Sequence, residues 1–520
     1  MVLYNDIKKN TYYDSITLML FSGELSAAEG VESASVMMGT EHNKSIMMRG
    51  GILSPEAAAE AGPNDMVVGI RTQTQEQSDA AVVLLRTLFE KAEKKEDDGQ
   101  TGGAANRAKT LAEAVRNLKD PNFAVISVPG KYAAFEAMKA MHKGMHVLLF
   151  SDNVSLEEEN RLKEYAVEHE LLLMGPDCGT AWVNGVALGF ANEVRRGNIG
   201  LAAASGTGLQ EVCVHIDRLG GGISQALGTG GRDVKDEVGG KMLMMELKAL
   251  EADPETRVIG IVSKPPADRV LRAVIDLCAT FTKPVVACFL GGSRELLKGS
   301  TIGFADDMEQ AAAMLVGLSR DGVPVPLDMP DLDAIVDTEV KKYTPAQRYI
   351  RGLYSGGSLC YEGILLAERE AGRVYSNISN GESALKNVEK SEENTYIDMG
   401  EDYFTDGMPH PMIDTRLRVE RLKKEAGDET VAAIVLDCVL GYGCNEDPAG
   451  ALAAAVTEAR TLAAGRHITF MASICGTDQD PQKRSQQAET LRKAGVMVLD
   501  SNAQCARLAA RLMKRLGEER

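Results

Sequence analysis

Ile199-Gly-Leu-Ala-Ala-Ala-Ser-Gly-Thr-Gly-Leu-Gln-Glu211 reads as a buried strand, a glycine turn and the first turn of a helix. Further along, Tyr349-Ile-Arg-Gly-Leu-Tyr-Ser-Gly-Gly-Ser-Leu-Cys-Tyr-Glu362 repeats that arrangement. Each copy is followed by a strand running into glycine or acid (226–233 and 395–402). A continuous apolar strand comes next (257–263 and 431–437), and a further one after a helix (284–290 and 468–474). Apolar strands without alternation, separated by helices, belong to a parallel sheet covered on both faces. The sequence therefore predicts an α/β fold with two flavodoxin-like domains, 195–322 and 347–520, joined by a linker at 323–346 that is Pro-rich at first.

Residues 109–194 show a βαβαβ order, with strands at 123–128, 146–150 and 171–174 and helices at 132–142 and 156–169. A Rossmann-like domain is expected there. Residues 1–92 read as a small ferredoxin-like α+β domain, with strands at 5–13, 32–40 and 64–71 and helices at 15–28 and 78–91. The stretch KAEKKEDDGQTGGAAN that follows is charged and glycine-rich, so a flexible linker is expected at 93–108.

Composition narrows the function. The chain has 520 residues, 44% of them hydrophobic and 25% charged, with a formal net charge of −18. That length exceeds one core, and that charge argues against a nucleic-acid partner, whose phosphates require clustered Lys and Arg. No apolar run reaches membrane-spanning length and the N-terminus lacks the regions of a signal peptide, so a cytoplasmic enzyme is expected. Nine cysteines, without Cys-x-x-Cys spacing, fit reduced core thiols. His142 and His146 stand at i, i+4, but Gly144 breaks the helix between them; no metal site is predicted.

Ligands of parallel sheets gather beyond the strand C-termini. Ser205-Gly206-Thr207-Gly208 and Ser355-Gly356-Gly357-Ser358 both lie at such a point. There, turn glycines admit a ligand and the helix start leaves N–H donors unpaired with partial positive charge. Either motif alone also fits an ordinary βα turn with a serine cap; two copies at matching positions favour paired anion sites facing one another. In Gly228-Thr-Gly230-Gly231-Arg232-Asp233, the arginine suits a carboxylate or phosphate clamp oriented by Asp233, or a solvated surface turn. Lys264, in Val262-Ser-Lys-Pro-Pro266, adds a point charge at the same end or flanks a proline turn. His410 sits between two prolines, a rigid imidazole suited to proton transfer or to a plain turn. Cys178, in Gly175-Pro-Asp-Cys-Gly-Thr180, reads as a structural thiol more readily than as a nucleophile.

Ser127-Val-Pro-Gly-Lys-Tyr132, Gly175-Pro-Asp-Cys178 and Ser205-Gly-Thr-Gly208 fall in the order and spacing of the succinyl-CoA synthetase α subunit. With Ser151-Asp-Asn153, Gly228–Asp233, Ser263-Lys-Pro-Pro266, Pro409-His-Pro-Met-Ile-Asp414 and Asp480-Pro-Gln482, the whole chain resembles the FdrA family. The resemblance implies a CoA-binding-type domain at 109–194 followed by two succinyl-CoA-ligase-like domains. It also implies acyl-CoA synthetase activity, or oxamate-type carbamoyl transfer in purine and allantoin breakdown, with companion subunits. A homo-oligomer is expected as well.

Two departures bear on that activity. The loop 291–303 contains no histidine to carry phosphate, and no Gly-rich turn precedes Phe123 to make the synthetase's first CoA contact. The expectation is therefore acyl or carbamoyl transfer from a preformed acyl phosphate or carbamoyl phosphate. The Ser-Thr-Arg-Thr phosphate motif of classical carbamoyltransferases is absent, so phosphate would fall to the two glycine turns, with Arg232 and Lys264 neutralising developing charge. The alternatives are an acyl-CoA synthetase completed by a nucleotide-binding partner, and a non-catalytic scaffold or sensing subunit.

Overall fold

A computed structural model of the chain describes residues 2–11, 13, 15–26, 28–97, 108, 110–405 and 408–518. They form two compact units, one within the first 120 residues and one of Pro121–Thr405 with His410–Arg520.

In the first unit, strands Val2–Lys8 and Val31–Met38 flank Met66–Thr72, and both run antiparallel to it. The pleat sends alternate residues of the central strand to opposite faces. Met66, Val68 and Ile70 pack with Leu18, Leu25 and Leu85 of the helices Ser15–Ser26 and Gln75–Asp97. Val67 packs on the other face with Met47, Ile52 and Ala58. Those residues come from two short helices, Glu41–Arg49 and Pro55–Glu60, and the loop between them. The first strand ends at Lys8, short of the expected 13, because Asn10 turns into left-handed backbone (φ 50°). Its N–H then donates to Asp65 at 2.9 Å. The helix Gln75–Asp97 continues past the expected linker start; residues 98–107 of that linker lie outside the described residues.

The second unit begins with three parallel strands in chain order, Phe123–Ile126, His146–Leu149 and Leu173–Met174. Helices Gly130–Met141 and Leu156–Glu168 connect them, the latter opened by a Ser155–Glu158 capping box. This sheet stops at Met174, the expected end of its third strand, although the domain was expected to run to 194. Thr180–Val183 and Val186–Gly189 form a hairpin that adds instead to the next sheet, antiparallel to Ile223–Gly228. Trp182 anchors it, buried with its indole N–H on the Asn192 carbonyl at 2.9 Å.

The next sheet carries Ile223–Gly228, Arg196–Ala203, Val258–Ser263, Val285–Phe289 and Gly303–Phe304 side by side, all parallel. The last sheet carries Thr395–Asp398, Tyr349–Tyr354, Val431–Val439, Thr469–Cys475 and Met497–Leu499 in the same relative order, also parallel, with the two-residue strand Tyr375–Ser376 added parallel to Thr395–Asp398 at its edge. Apart from the added edge strands, both thus have the 2-1-3-4-5 order of a doubly wound sheet, with the order reversing beside the first strand. The two halves share one core: Leu209, Val212 and Met308 pack with Leu359, Ile364 and Leu508. The expected linker 323–346 contributes to it through the helix Leu332–Glu339, whose Leu332 and Val336 are buried there. Polar side chains cross the same interface. The Asn502 N–H donates to Glu211 at 3.1 Å and its amide to Glu362 at 2.8 Å, and Glu362 also accepts from the Met308 N–H. No helix among the described residues is long and apolar enough to cross a membrane.

Candidate active site

In each half the central strand, Arg196–Ala203 or Tyr349–Tyr354, runs into a glycine turn and a helix, Gly206–Arg218 in one half and Gly357–Ala371 in the other. Ser205 caps the first, its Oγ accepting from the Gly208 N–H at 3.1 Å. The two starts meet: Ser205 Oγ and Ser358 Oγ stand 2.5 Å apart, and the Ser358 N–H donates to Thr207 Oγ1 at 3.3 Å. A side chain at Gly356 would bring its Cβ within 3.0 Å of Thr207. The two serine-glycine motifs are therefore joined in one seam.

They are not equivalent. In the second motif the Ser355 and Gly356 N–H groups donate to the Asp437 carboxylate at 2.9 and 2.8 Å, and Ser355 Oγ does so at 3.0 Å. Asp437 is fully buried near the end of strand Val431–Val439 and pairs with buried Arg418 at 2.6 Å. An internal anion thus fills that half of the expected phosphate cradle, because a buried carboxylate needs those charge-assisted donors. The backbone N–H groups of Gly206, Thr207 and Gly357 have no partner among the described residues.

Asp398, the last residue of strand Thr395–Asp398, lies against this seam and is 4% exposed. Its Oδ1 accepts from the Gly400 N–H at 2.9 Å. Its Oδ2 rests on Gly357, where a Cβ would stand 2.6 Å away. Burial first, then Glu401 and Asp437, push its carboxyl up to about 7, against the Gly400 N–H and Lys264. Lys264 is exposed at the end of strand Val258–Ser263, its ammonium 4.4 Å from the Tyr361 ring centre, one turn beyond Ser358.

His410 closes the corner. A Cβ at Gly400 would lie 2.7 Å from its Nε2, 3.1 Å from Asp398 Oδ1 and 3.2 Å from the Ser355 carbonyl. Its Nδ1 accepts from the Met412 N–H at 3.2 Å, which puts the ring proton on Nε2. Burial pulls the imidazole down to about 4, opposed by Asp437, so at neutral pH His410 is an uncharged donor.

Arg232 and Asp233 serve elsewhere. The Arg232 guanidinium donates to the Val154 carbonyl at 2.7 Å and pairs with buried Glu159 at 2.7 Å; it makes no hydrogen bond or ion pair with either turn. Asp233 does not orient it. Its oxygens accept from Met242 and Leu243 at the start of helix Lys241–Ala252, and from Lys163 at 3.0 Å. Gly230 has φ 80° and sits so close to the turn below that a Cβ would stand 2.3 Å from the Pro176 carbonyl; Gly231 is exposed.

Cys178 is buried, donates to the Thr180 carbonyl at 3.5 Å and is pushed by burial up to about 12. His142 ends its helix edge-on to Tyr165, while His146 accepts from the Leu172 N–H in a strand, so the pair shares no ligand. Sequence reading missed Asp398 and Asp437. The available signal was an acid closing an otherwise apolar strand opposite a glycine turn.

Three family models match the chain: a CoA-ligase model over residues 353–512, a CoA binding domain over 194–291, and an AllF heavy metal-associated domain over 1–106. The CoA binding match falls on the half that begins with strand Arg196–Ala203, not on 109–194, where a CoA-binding-type domain was expected. The chain is 42% identical over 520 residues to the uncharacterized protein YahF of Escherichia coli K12, spanning 99% of both. It is 28% identical over 186 residues to the ADP-forming succinate–CoA ligase subunit alpha 2 of Archaeoglobus fulgidus, 35% of this chain and 63% of that one. Among solved structures, a dinucleotide-forming acetyl-coenzyme A synthetase 1 of Ca. Korarchaeum cryptofilum aligns over 76% of this chain and 85% of its own, at 15% identity and a TM-score of 0.28. The first unit's sequence offers no cysteine and a single histidine, His42, so it presents no thiolate pair to a soft metal.

Proposed function

Because this chain belongs with Escherichia coli YahF to the succinyl-CoA synthetase and acyl-CoA ligase superfamily, we propose that it is an FdrA-type subunit that transfers a carbamoyl or acyl group from a phosphorylated donor at the seam of its two ligase-like halves. The observation that carries this is the meeting of two helix starts. The unpartnered N–H groups of Gly206, Thr207 and Gly357 lie in one seam, with the exposed Lys264 at the same strand ends. Each helix start carries partial positive charge, and two together favour a multiply charged oxyanion such as a phosphoryl group. Lys264 would neutralise charge on the transferred group, and His410 would offer its Nε2–H. The loop 291–303, folded around the short turn Arg294–Leu297, has no histidine, which favours a preformed acyl phosphate over phosphate relayed from ATP. Companion subunits would supply the acceptor.

A second reading, an acyl-CoA ligase completed by a nucleotide-binding partner, is favoured by the CoA binding and CoA-ligase matches. Thermal-shift titration separates the two. Carbamoyl phosphate or acetyl phosphate should raise the melting temperature, and labelled ATP should leave no acid-labile phosphohistidine. Stoichiometric histidine label would reinstate the ligase. No shift with any of these ligands, or with CoA, would leave a scaffold.

A further inference from the structure

Asp398 is placed as a proton carrier rather than as a fixed charge. Among the described residues its Oδ1 has one donor, the Gly400 N–H, and no donor reaches its Oδ2, which lies on Gly357 where the seam's unpartnered N–H groups begin. A nine-tenths-buried carboxylate with a single backbone donor is poorly compensated as an anion. The contrast is Asp437 on the neighbouring halves of the same turn, which collects two N–H groups, a hydroxyl and an arginine.

We propose that Asp398 takes up a proton when an oxyanion settles on the N–H groups of Gly206, Thr207 and Gly357, and hands that proton to the departing phosphate during group transfer. This rests on the seam being the acyl-transfer site. The groups that face Asp398 are Glu401 in the loop that follows it, Asp437 from the third strand, the Cys360 thiol on the helix Gly357–Ala371, Lys264 from the other half and neutral His410. Burial first, and then the acids, which outnumber the cations among these groups, hold the proton on the carboxyl up to about 7. An anion arriving beside it adds one more like charge and raises it further.

In the transfer step, an acceptor N–H or O–H attacks the carbonyl carbon of the acyl phosphate. The bond from that carbon to the phosphate oxygen breaks, and its electron pair stays on the oxygen, which receives the proton from Asp398. The proton of the nucleophile then passes to the Asp398 carboxylate and restores it. His410, uncharged, contributes a hydrogen bond and no proton.

Sulfate is the probe, since it exchanges no proton of its own near neutrality. Calorimetric titration of the full chain at pH 8, in two buffers of different ionisation enthalpy, should show about one proton taken up per sulfate bound. Wild-type affinity should fall up to about tenfold per pH unit above pH 7.5. Asp398→Asn should bind sulfate with no proton uptake and no such slope. The slope in wild type tests the idea without relying on the variant's folding. Binding of sulfate or carbamoyl phosphate without proton uptake, or with uptake unchanged in Asp398→Asn, overturns the proton coupling alone. Failure of both anions to bind overturns the seam as an anion site, and the coupling with it.

Discussion

Asp398 and Arg232 show how much a side chain's meaning depends on what its charge can reach. The Asp398 carboxyl is raised by burial from the ordinary carboxylate range to about 7. A group whose folded value is raised stabilises the fold fully below its unfolded value, and the contribution is lost as pH rises through the folded one. Wild type should therefore lose stability between about pH 4 and 7 relative to Asp398→Asn, which has no proton to lose. Urea unfolding at pH 5 and pH 8 should show the variant gaining on wild type by roughly 1–4 kcal/mol; a difference that does not change with pH would contradict this. Arg232 behaves differently. Its partner Glu159 is buried and shared with Lys163 at 2.8 Å. Arg232→Ala leaves Glu159 one cation, so a loss of about 1–2 kcal/mol is expected, below the usual cost of breaking a buried pair because the guanidinium is 39% exposed. The sequence hid this because Glu159 lies on a helix of the preceding three-stranded sheet, far away along the chain. The seam serines were legible because glycine turns at strand ends announce themselves. Asp398 and Asp437 were not, since an acid at a strand end also suits plain solvent exposure.

At the scale of elements, period and punctuation carried most of the information. The two apolar strand series predicted two parallel sheets, and both have the same strand order, because continuous apolar strands have no other stable home than between two helical layers. What the pattern could not resolve was which sheet a short strand joins. Thr180–Val183 and Val186–Gly189 follow directly on the three-stranded sheet yet pair with the next one, a choice made by burying Trp182. The helix Glu41–Arg49 was missed because its residues are mostly polar, although Thr40 caps it by accepting from the Asn43 N–H. Turn glycines can be ranked in the same physical way. Gly230 combines φ 80° with a Cβ position 2.3 Å from the Pro176 carbonyl, whereas a Cβ at Gly231 meets nothing nearer than 4.0 Å. Gly230→Ala should cost roughly 2 kcal/mol or more, through backbone strain and displacement of the turn beneath it. Gly231→Ala should change the unfolding free energy by less than about 0.5 kcal/mol. Equal effects in urea melts would mean that the close approach does not hold the turn.

At the scale of the molecule, the distribution of thiols separates ancestry from chemistry. The first unit matches a heavy metal-associated domain, but soft metals favour thiolates and thioethers, and before Cys178 the chain has methionines and no cysteine. The nine cysteines from Cys178 onward are all unpaired; eight are buried and Cys444 is half-buried. Burial pushes Cys178, Cys278, Cys438 and Cys444 up to about 12, and Cys213, Cys288, Cys360, Cys475 and Cys505 above the ordinary thiol range. A buried thiol that keeps its proton is neither a ligand nor a nucleophile. Among the described residues no three histidine, cysteine or acidic side chains are placed to hold an ion. The three-stranded antiparallel sheet of the first unit has both faces covered by helices and offers no thiolate donor. Full-length protein incubated with zinc or with copper(I) should retain less than a stoichiometric equivalent after gel filtration, and its melting temperature should not rise. A thiol reagent should modify the native protein slowly, Cys444 first, and reach all nine cysteines only in denaturant. One tightly held equivalent of metal, lost when the first 106 residues are cut from the chain, would show that this unit binds metal through ligands other than thiolates.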